Sequence, residues 1–382
     1  QLNAVVLKKL REESKGFSKQ CIAIEQGVAR IMKQQEVNGF KFDLQSALLL
    51  LAELREKKQV IEDEVHNTFK PKWVDDKLVT PYIKKDGDLS KRGLTDDEYK
   101  RCIDTNNFKP FMRQTLQVFN LGSRKQIGEY LIDFGWKPER FTPTGQPIVD
   151  EKTLSAITHI HEAKLIADFL LLQKRIAQVD SWVEGVQEDG RVHGFVIPNG
   201  AITGRMTHRN PNMAQVPAIY SPYGKECRAC WTVEEGNVLI GVDASGLEIR
   251  MLAHYMNDEE YTNEILNGDI HTANQKLAQL ESRDKAKTFI YALMYGAGDE
   301  KLGSVVGGST SDGKRARQYF FDNKPTFKSL RDRVQRASAK NYLKGLDGRK
   351  LYVRNQHSAL NTLLQGAGAI VMKQGLVLLD DV

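Results

Sequence analysis

Four side chains between residues 283 and 295 recur at every fourth position and could act together on one ligand. They are Arg283, Lys287, Tyr291 and Tyr295. On a helix this spacing places them in one continuous stripe. Two cations one turn apart repel each other slightly, so helix stability does not explain the pair, whereas a polyphosphate along the helix would. Tyr291 would then offer a flat face to a sugar or a base. The alternative is an ordinary amphipathic helix with cations at its rim and half-buried tyrosines.

A carboxylate with a neighbouring carbonyl group is the second candidate for chemistry. In the stretch LIGVDASGLEIR an apolar run ends at Asp243, a small turn follows, and a helical pattern with Glu248 begins. The run predicts a buried strand that presents Asp243 at a sheet edge. The Asp243 carboxylate, the Ala244 carbonyl and water are oxygen ligands of the kind that Mg²⁺ takes. The alternative is that Asp243 caps the helix beginning near Gly246, and this turn considered alone favours capping.

Polar side chains on a loop and on an apolar helix form a third group. The segment 199–218 is rich in turn-forming residues and carries Arg205, which can donate two parallel hydrogen bonds. The segment 357–379 predicts an apolar helix with Asn361 and Gln365 one turn apart. Amides on an apolar helix need hydrogen-bonding partners. Base-pair edges in a minor groove would supply them, and so would ordinary core contacts.

His271 and a glycine pair complete the set of candidates. His271 begins a predicted helix and precedes Arg283 by 12 residues, so it is either a helix-terminal side chain or a phosphate contact. Gly296 and Gly298 do not form a dinucleotide fingerprint, because the spacing differs and a helix rather than a strand precedes them.

Composition indicates an ordinary globular protein with one strongly basic zone. Apolar residues make up 41% of the 382 residues, the net charge is +6, and no transmembrane helix is expected. From Lys314 to Arg354 there are 13 Lys or Arg residues and three acids, a balance that suits a phosphate backbone. Four cysteines are too few for a disulfide framework, and Cys227 and Cys230 are predicted to be buried thiols in a reducing cytoplasm rather than a zinc site.

Periodicity predicts an α+β protein in which few strands accompany long helices. Residues 18–69 predict two helices separated by a turn at Asn38-Gly39, and residues 312–341 predict one long helix. Ser123 and Gln126 have the spacing of a capping box, which predicts that a helix starts there. Between about 71 and 118 the periodicity weakens, which predicts a surface loop. This pattern favours α+β over a doubly wound sheet.

Several of these stretches, in this order, resemble motifs of family A DNA polymerases. They are DASGLEIRMLAHYM, RDKAKTFIYALMYGAG, TGRMTHRNPNMAQVP, GSRKQIGEYL with TPTGQPIVDEKTL, and ALNTLLQGAGAIVMK. The likeness extends over roughly residues 20–379 and is strongest to the replicative polymerases of short-tailed phages. It implies a mostly helical right-hand architecture of thumb, palm and fingers with an incomplete palm. The expected divisions are 1–20 (a remnant of an exonuclease-like domain or a linker), 21–190 (thumb), 191–258 (palm), 259–345 (fingers) and 346–382 (palm, truncated).

The resemblance implies roles for the acids and for the nucleotide-binding side chains. Asp243 would bind two catalytic Mg²⁺ ions, with the Ala244 carbonyl on one of them. Glu248 would pack with Tyr291 behind the sugar and exclude a 2′-hydroxyl group. Arg283, Lys287 and His271 would grip the triphosphate, and Lys287 is also a candidate proton donor to the leaving pyrophosphate.

The remaining side chains would contact DNA. Tyr295 would stack near the templating base. Arg205 and Gln365 would contact the minor groove of the primer–template, with Asn361 close by. The implied reaction is the attack of a primer 3′-hydroxyl group on the α-phosphate of a deoxynucleoside triphosphate. The implied protein is a monomer in the host cytoplasm, without a membrane association.

One expected motif is missing, which predicts a fragment. The family's third motif is a strand hairpin bearing His-Asp-Glu, and Asp380 and Asp381 after the last helix do not match it. We therefore expect a polypeptide that lacks the second metal-binding carboxylate and has little or no activity alone. Two alternatives stay open: a catalytically dead primer–template binding module, and a single-subunit RNA polymerase, which Glu248 with Tyr291 disfavours.

The predicted loop at 71–118 occupies the place where some phage relatives carry a loop that binds a processivity partner. Its charges are mixed, with 11 Lys or Arg and eight Asp or Glu from Lys70 to Arg113. A solvated surface loop and a partner-binding loop are therefore both open, and a pull-down with host thioredoxin that recovers nothing would decide against the partner.

Overall fold

A computed structural model describes residues 2–381, apart from the side chains of residues 2 and 152. Most of this stretch is helical. Its α-helices are α1 Leu2–Glu13, α2 Lys19–Asn38, α3 Leu44–Thr68, α4 Asp96–Asp104, α5 Arg124–Asp133, α6 Glu151–Ala156, α7 His161–Glu184, α8 Gly224–Ala229, α9 Leu247–Met256, α10 Glu259–Asn267, α11 Ile270–Ala278, α12 Arg283–Met294, α13 Asp299–Val306, α14 Thr310–Asn323, α15 Pro325–Ala337 and α16 Ala359–Asp380.

The strands are short and pair only in twos within this described stretch. They are β1 Phe40–Lys41, β2 Lys72–Val79, β3 Phe111–Gln117, β4 Arg191–Val192, β5 Phe195–Ile197, β6 Thr207–Arg209, β7 Tyr342–Lys344 and β8 Lys350–Tyr352. The pairs β1–β4, β2–β3, β5–β6 and β7–β8 are all antiparallel. The predicted α+β class is therefore confirmed.

The chain forms two compact units. Residues 2–44 and 184–381 form the larger unit, and residues 45–183 form the smaller. The core of the larger unit joins α9, α12, α14, α15 and α16, with Phe289, Phe320 and Phe327 fully buried. The aromatic ring centroids of Phe320 and Phe327 lie 5.2 Å apart in an edge-to-face contact. All the candidate site residues belong to this unit.

The smaller unit packs around a separate aromatic core. Phe69 and Phe119 meet edge to face with centroids 4.9 Å apart, and Tyr130 lies beside both. The Ser123 side chain accepts a hydrogen bond from the Gln126 amide and caps α5. Because a capping residue satisfies an amide that the helix itself leaves unpaired, the sequence located this helix start correctly.

The prediction of a loop over residues 71–118 is wrong. The strands β2 and β3 form an antiparallel hairpin, and α4 begins at a capping box between Thr95 and Glu98. Glu98 accepts hydrogen bonds from the Arg113 guanidinium group, with Nε 2.7 Å from Oε1, and ties α4 to β3. A register shift between Asp75 and Lys77 breaks the alternation of β2, so the two-residue period is lost from the sequence.

The single helix predicted over 312–341 is divided. Helix α14 ends at Asn323, and α15 starts at Pro325 in the first helical position. A proline lacks the amide hydrogen that a helix interior requires, whereas the first turn leaves that hydrogen unused. The division therefore follows from Pro325.

All four cysteines are buried free thiols, which confirms the prediction for Cys227 and Cys230. Burial raises the pKa of Cys230 to about 11, so this thiol stays protonated. Residues 356–380 are long and apolar enough to cross a membrane by length and composition, which the sequence analysis did not anticipate. This is weak evidence for a span, because α16 places Leu360, Leu363 and Leu364 in the larger core.

Candidate active site

Helix α12 displays the predicted stripe on one face. Ala286, Phe289 and Ile290 are buried on the opposite face, whereas Arg283 and Lys287 are exposed. The ring centroids of Tyr291 and Tyr295 lie 6.2 Å apart; Tyr291 is half-buried and Tyr295 is exposed. The four-residue spacing thus produces the stripe. The exposure of Arg283 and Lys287 by itself is compatible both with ligand binding and with an ordinary amphipathic helix.

Arg283 is held by an acid that the sequence analysis missed. Its Nε and Nη2 atoms lie 2.6 and 3.1 Å from the two carboxylate oxygens of Asp269. Asp269 is also the N-cap of α11 and accepts a hydrogen bond from the His271 amide at 3.0 Å. The Arg283 bonds hold the pKa of Asp269 well below its usual range. A capping Asp two positions before His271 in the sequence was the signal that could have revealed it.

His271 lies beside the stripe, and its surroundings favour the neutral form of its imidazole ring. Its ring centroid is 6.4 Å from that of Tyr291. Burial, together with the positive charges of Arg283 and Lys287, lowers the pKa of His271. Its Nδ1 atom is buried and finds no hydrogen-bonding partner among residues 2–381. The positive charges of Arg283 and Lys287 beside this ring are suited to an anionic ligand.

Glu248 connects three segments that the sequence treats separately. One carboxylate oxygen accepts a hydrogen bond from Arg205 Nη2 at 2.9 Å, and the other accepts one from the Tyr295 hydroxyl group at 2.9 Å. Burial and Glu248 raise the pKa of Tyr295, and the neighbouring Gln365 side chain lowers it. The tyrosine hydroxyl group that reaches Glu248 thus belongs to Tyr295, one turn after Tyr291. The loop that carries Arg205, the helix α9 and the end of α12 therefore meet at this carboxylate.

Asn361 and Gln365 lie one turn apart on α16, as predicted, and both are partly buried. The Asn361 Oδ1 atom is buried and has no hydrogen-bonding partner within the described part of the chain. Gln365 is the member of the pair that reaches the Glu248 cluster through Tyr295.

The strand predicted to end at Asp243 is not formed. Residues 237–244 have no regular structure, and Ile240 and Val242 are 84% and 86% exposed. No neighbouring strand in the described chain pairs with this segment, so nothing supplies the ladder hydrogen bonds that would make it a strand. The capping alternative is also not observed, because the N-cap of α9 is Gly246, in the left-handed region, without a side-chain bond.

The acidic side chains of this region provide only part of the ligand set that a divalent metal ion needs. Asp243 is exposed beside the Ala244 carbonyl, whereas Glu248 is already bonded to Arg205 and Tyr295. No group of three or more His, Cys, Asp or Glu side chains converges within residues 2–381. The described residues therefore supply one carboxylate ligand, from Asp243, and one carbonyl ligand, from Ala244.

The comparison with family models decides the family. A model of DNA polymerase family A matches residues 97–382. This chain belongs to DNA polymerase family A. The matched span includes every candidate residue from Arg205 to Gln365.

Two relatives and one solved structure are similar to this chain over most of its length. The chain is 38% identical to a DNA-directed DNA polymerase of Enterobacteria phage T3 and 37% identical to that of Escherichia phage T7, over 94% of this chain. A polymerase domain of Pol1 from M. smegmatis, solved with a DNA primer-template and dNTP, matches the fold with a TM-score of 0.73 at 21% identity over 94% of this chain. This family A chain spans 59% of the length of each of these three proteins.

Proposed function

We propose that this chain takes part in template-directed DNA synthesis, adding deoxynucleoside monophosphates to a primer 3′-hydroxyl group. The observation that carries the proposal is the meeting of Arg205, Glu248 and Tyr295. It brings the cationic and aromatic stripe of α12 next to the start of α9, within a few residues of Asp243. Family membership supports the same activity.

In the proposed reaction the primer 3′-oxygen bonds to the α-phosphorus and pyrophosphate leaves. Arg283, Lys287 and neutral His271 would hold the triphosphate through charged and neutral hydrogen bonds. Glu248 and Tyr291 would lie behind the sugar and disfavour a 2′-hydroxyl group. Asp243 would hold the two Mg²⁺ ions, with the Ala244 carbonyl group on one of them, and bound Mg²⁺ would supply positive charge near the attacking and leaving oxygens.

The DNA would lie on the other side of the same cluster. Arg205 and Gln365, with Asn361 nearby, would donate hydrogen bonds to the minor-groove acceptors that every base pair presents. Tyr295 would stack near the templating base. The minor groove offers similar acceptors for different sequences, so these contacts would read the shape of a base pair rather than its identity.

The test uses binding, so that it does not depend on turnover. The 382-residue polypeptide is mixed with a labelled, dideoxy-terminated primer–template and each of the four dNTPs in turn. We expect only the dNTP that complements the templating base to tighten the complex, and the matched rNTP to do so much less. Equal effects of all four dNTPs would contradict template-directed synthesis. Equal effects of matched dNTP and rNTP would favour an RNA polymerase.

We propose further that this polypeptide alone extends primers poorly. Asp243 lies on an exposed, irregular segment, and two close cations need several anionic ligands. Robust Mg²⁺-dependent primer extension by residues 1–382 would contradict this. We expect the polypeptide to bind the matched dNTP but not to extend the primer. This result would also distinguish it from a protein that does not bind DNA and dNTP at all.

We also propose that the β2–β3 hairpin binds a protein partner. The register places Trp73, Leu78, Met112 and Leu116 on one face, and all four are exposed. An apolar sheet face of this kind is typical of an interaction surface. A pull-down with host thioredoxin is expected to recover this chain but not a Trp73→Ser variant. A pull-down that recovers neither would contradict thioredoxin as the partner.

A further inference from the structure

A buried charge cluster lies outside the candidate active site but touches the turn that carries Arg205. Glu25 on α2 accepts hydrogen bonds from the Lys373 ammonium group of α16, with Nζ 2.7 and 2.8 Å from the two carboxylate oxygens. Lys373 is 1% exposed, so its charge is almost completely removed from solvent. The two residues are 348 positions apart, and the contact therefore joins the first part of the larger unit to its last helix.

The loop between β7 and β8 supplies the other half of this cluster. The Arg349 Nε atom lies 2.9 Å from Asp347 Oδ2, its Nη2 atom lies 2.7 Å from the same oxygen, and its Nη1 atom donates to Glu25. Arg349 and Asp347 are both buried. The cluster thus contains two cations and two carboxylates, and every charge has a partner of opposite sign.

Both ends of the turn 199–205 rest on this cluster. At the first end, Lys373 Nζ donates to Asn199 Oδ1 at 2.7 Å. At the second, a Cβ atom built on Gly204 would lie 3.4 Å from Arg349 Nη1, so the guanidinium group packs against the backbone directly before Arg205. Inside the turn, the Ala201 amide donates to the Arg205 carbonyl at 3.1 Å. The turn is therefore anchored at two points.

Stability alone does not account for these charges. The free energy needed to remove two ions from water is about as large as the attraction between them in a close pair. Replacing a buried ion pair by well-packed apolar groups of similar volume therefore often leaves a protein equally stable. What charged hydrogen bonds add is a defined direction and distance between segments. Here the segments are the turn before Arg205 and α16, which carries Gln365 two turns before Lys373.

We propose that Glu25, Arg349 and Lys373 are positioning residues that hold the turn 199–205, so that Arg205 meets the minor groove of the primer terminus. This inference rests on the proposed function, because it assumes that Arg205 contacts DNA. None of the three residues needs to touch the DNA itself. Their effect would pass through Asn199 and Gly204 to Arg205.

The test measures how strongly binding depends on one minor-groove acceptor. A primer–template with adenine at the primer terminus is compared with one carrying 3-deazaadenine, which lacks the N3 acceptor. For the unaltered chain we expect affinity to fall about tenfold, the loss of one charged hydrogen bond. Arg205→Ala should remove this dependence, and Lys373→Met should reduce it to about twofold. Lys328→Met, the same change at an exposed lysine of α15, should keep it near tenfold.

Two further measurements separate positioning from loss of the fold. Lys373→Arg keeps the charge and should restore most of the tenfold dependence, and matched dNTP binding should be unchanged in Lys373→Met. If Lys373→Met does not fold, Glu25→Gln replaces it in the same comparison. A folded Lys373→Met or Glu25→Gln variant that keeps the tenfold dependence overturns the inference while leaving the function of Arg205 intact. If Arg205→Ala itself keeps that dependence, the proposed contact of Arg205 with DNA fails instead.

Discussion

Replacement of Lys287 by Ala should weaken binding of the matched dNTP about tenfold and leave primer–template affinity within about twofold. Lys287 is exposed on α12, and it makes no hydrogen bond or ion pair with another residue in the described part of the chain. Its removal should therefore cost the protein little stability. A charged hydrogen bond to a phosphate contributes about 1.5 kcal/mol at the lower end of its range, which corresponds to about tenfold in affinity.

Arg283 should give a smaller effect, because the structure shows it already occupied. Its guanidinium group forms two bonds with Asp269, and a triphosphate would have to replace at least one of them. Arg283→Ala should thus weaken dNTP binding by only about threefold, the range of an exposed ion pair. Asp269→Asn provides the complementary change. Asn caps a helix as well as Asp does, so α11 should persist while Arg283 is released and dNTP binding strengthens.

The assay is titration of a labelled, dideoxy-terminated primer–template complex with matched dNTP, preceded by titration of the DNA alone. Lys276→Ala, at an exposed lysine of the neighbouring α11, is the control for loss of one positive charge. A loss of DNA affinity in Lys287→Ala as large as its loss of dNTP affinity would refute the reasoning, because it would place the stripe against the duplex. Weaker dNTP binding in Asp269→Asn would show that the ion pair orients Arg283 rather than competing for it.

Three further outcomes can be measured directly. Arg205→Ala should weaken primer–template binding about tenfold in anisotropy titrations, through loss of one charged hydrogen bond, whereas Lys276→Ala on α11 should change it little. Acid should loosen the β2–β3 hairpin. Hydrogen bonds from Arg113 lower the pKa of Glu98 to about 2, so its stabilising effect is present above about pH 4.5 and is lost as pH falls toward 2, and Glu98→Gln should remove this pH dependence in circular dichroism. Phe320→Ala should lower the free energy of unfolding by about 3–5 kcal/mol in denaturant titrations, because the ring is fully buried between α12 and α15.

The sequence by itself determined the faces and ends of single helices. Spacing by four residues was enough to place Arg283 and Lys287 on one face of α12, because helix geometry is local. Capping chemistry located the start of α5 at Ser123 for the same reason. Motif order and the resemblance to family A polymerases together gave the family, which the family model confirmed.

Only the tertiary structure decided which side chains meet across the chain. Arg205, Glu248 and Tyr295 are 90 positions apart from first to last, and no local period relates them. The strand β2 was hidden because its register shift breaks the alternation and its partner lies more than 30 residues away. The segment before Asp243 shows the opposite case. Its apolar run has strand composition, but a strand also needs a neighbour to accept its backbone hydrogen bonds, and that requirement is satisfied by packing rather than by sequence pattern.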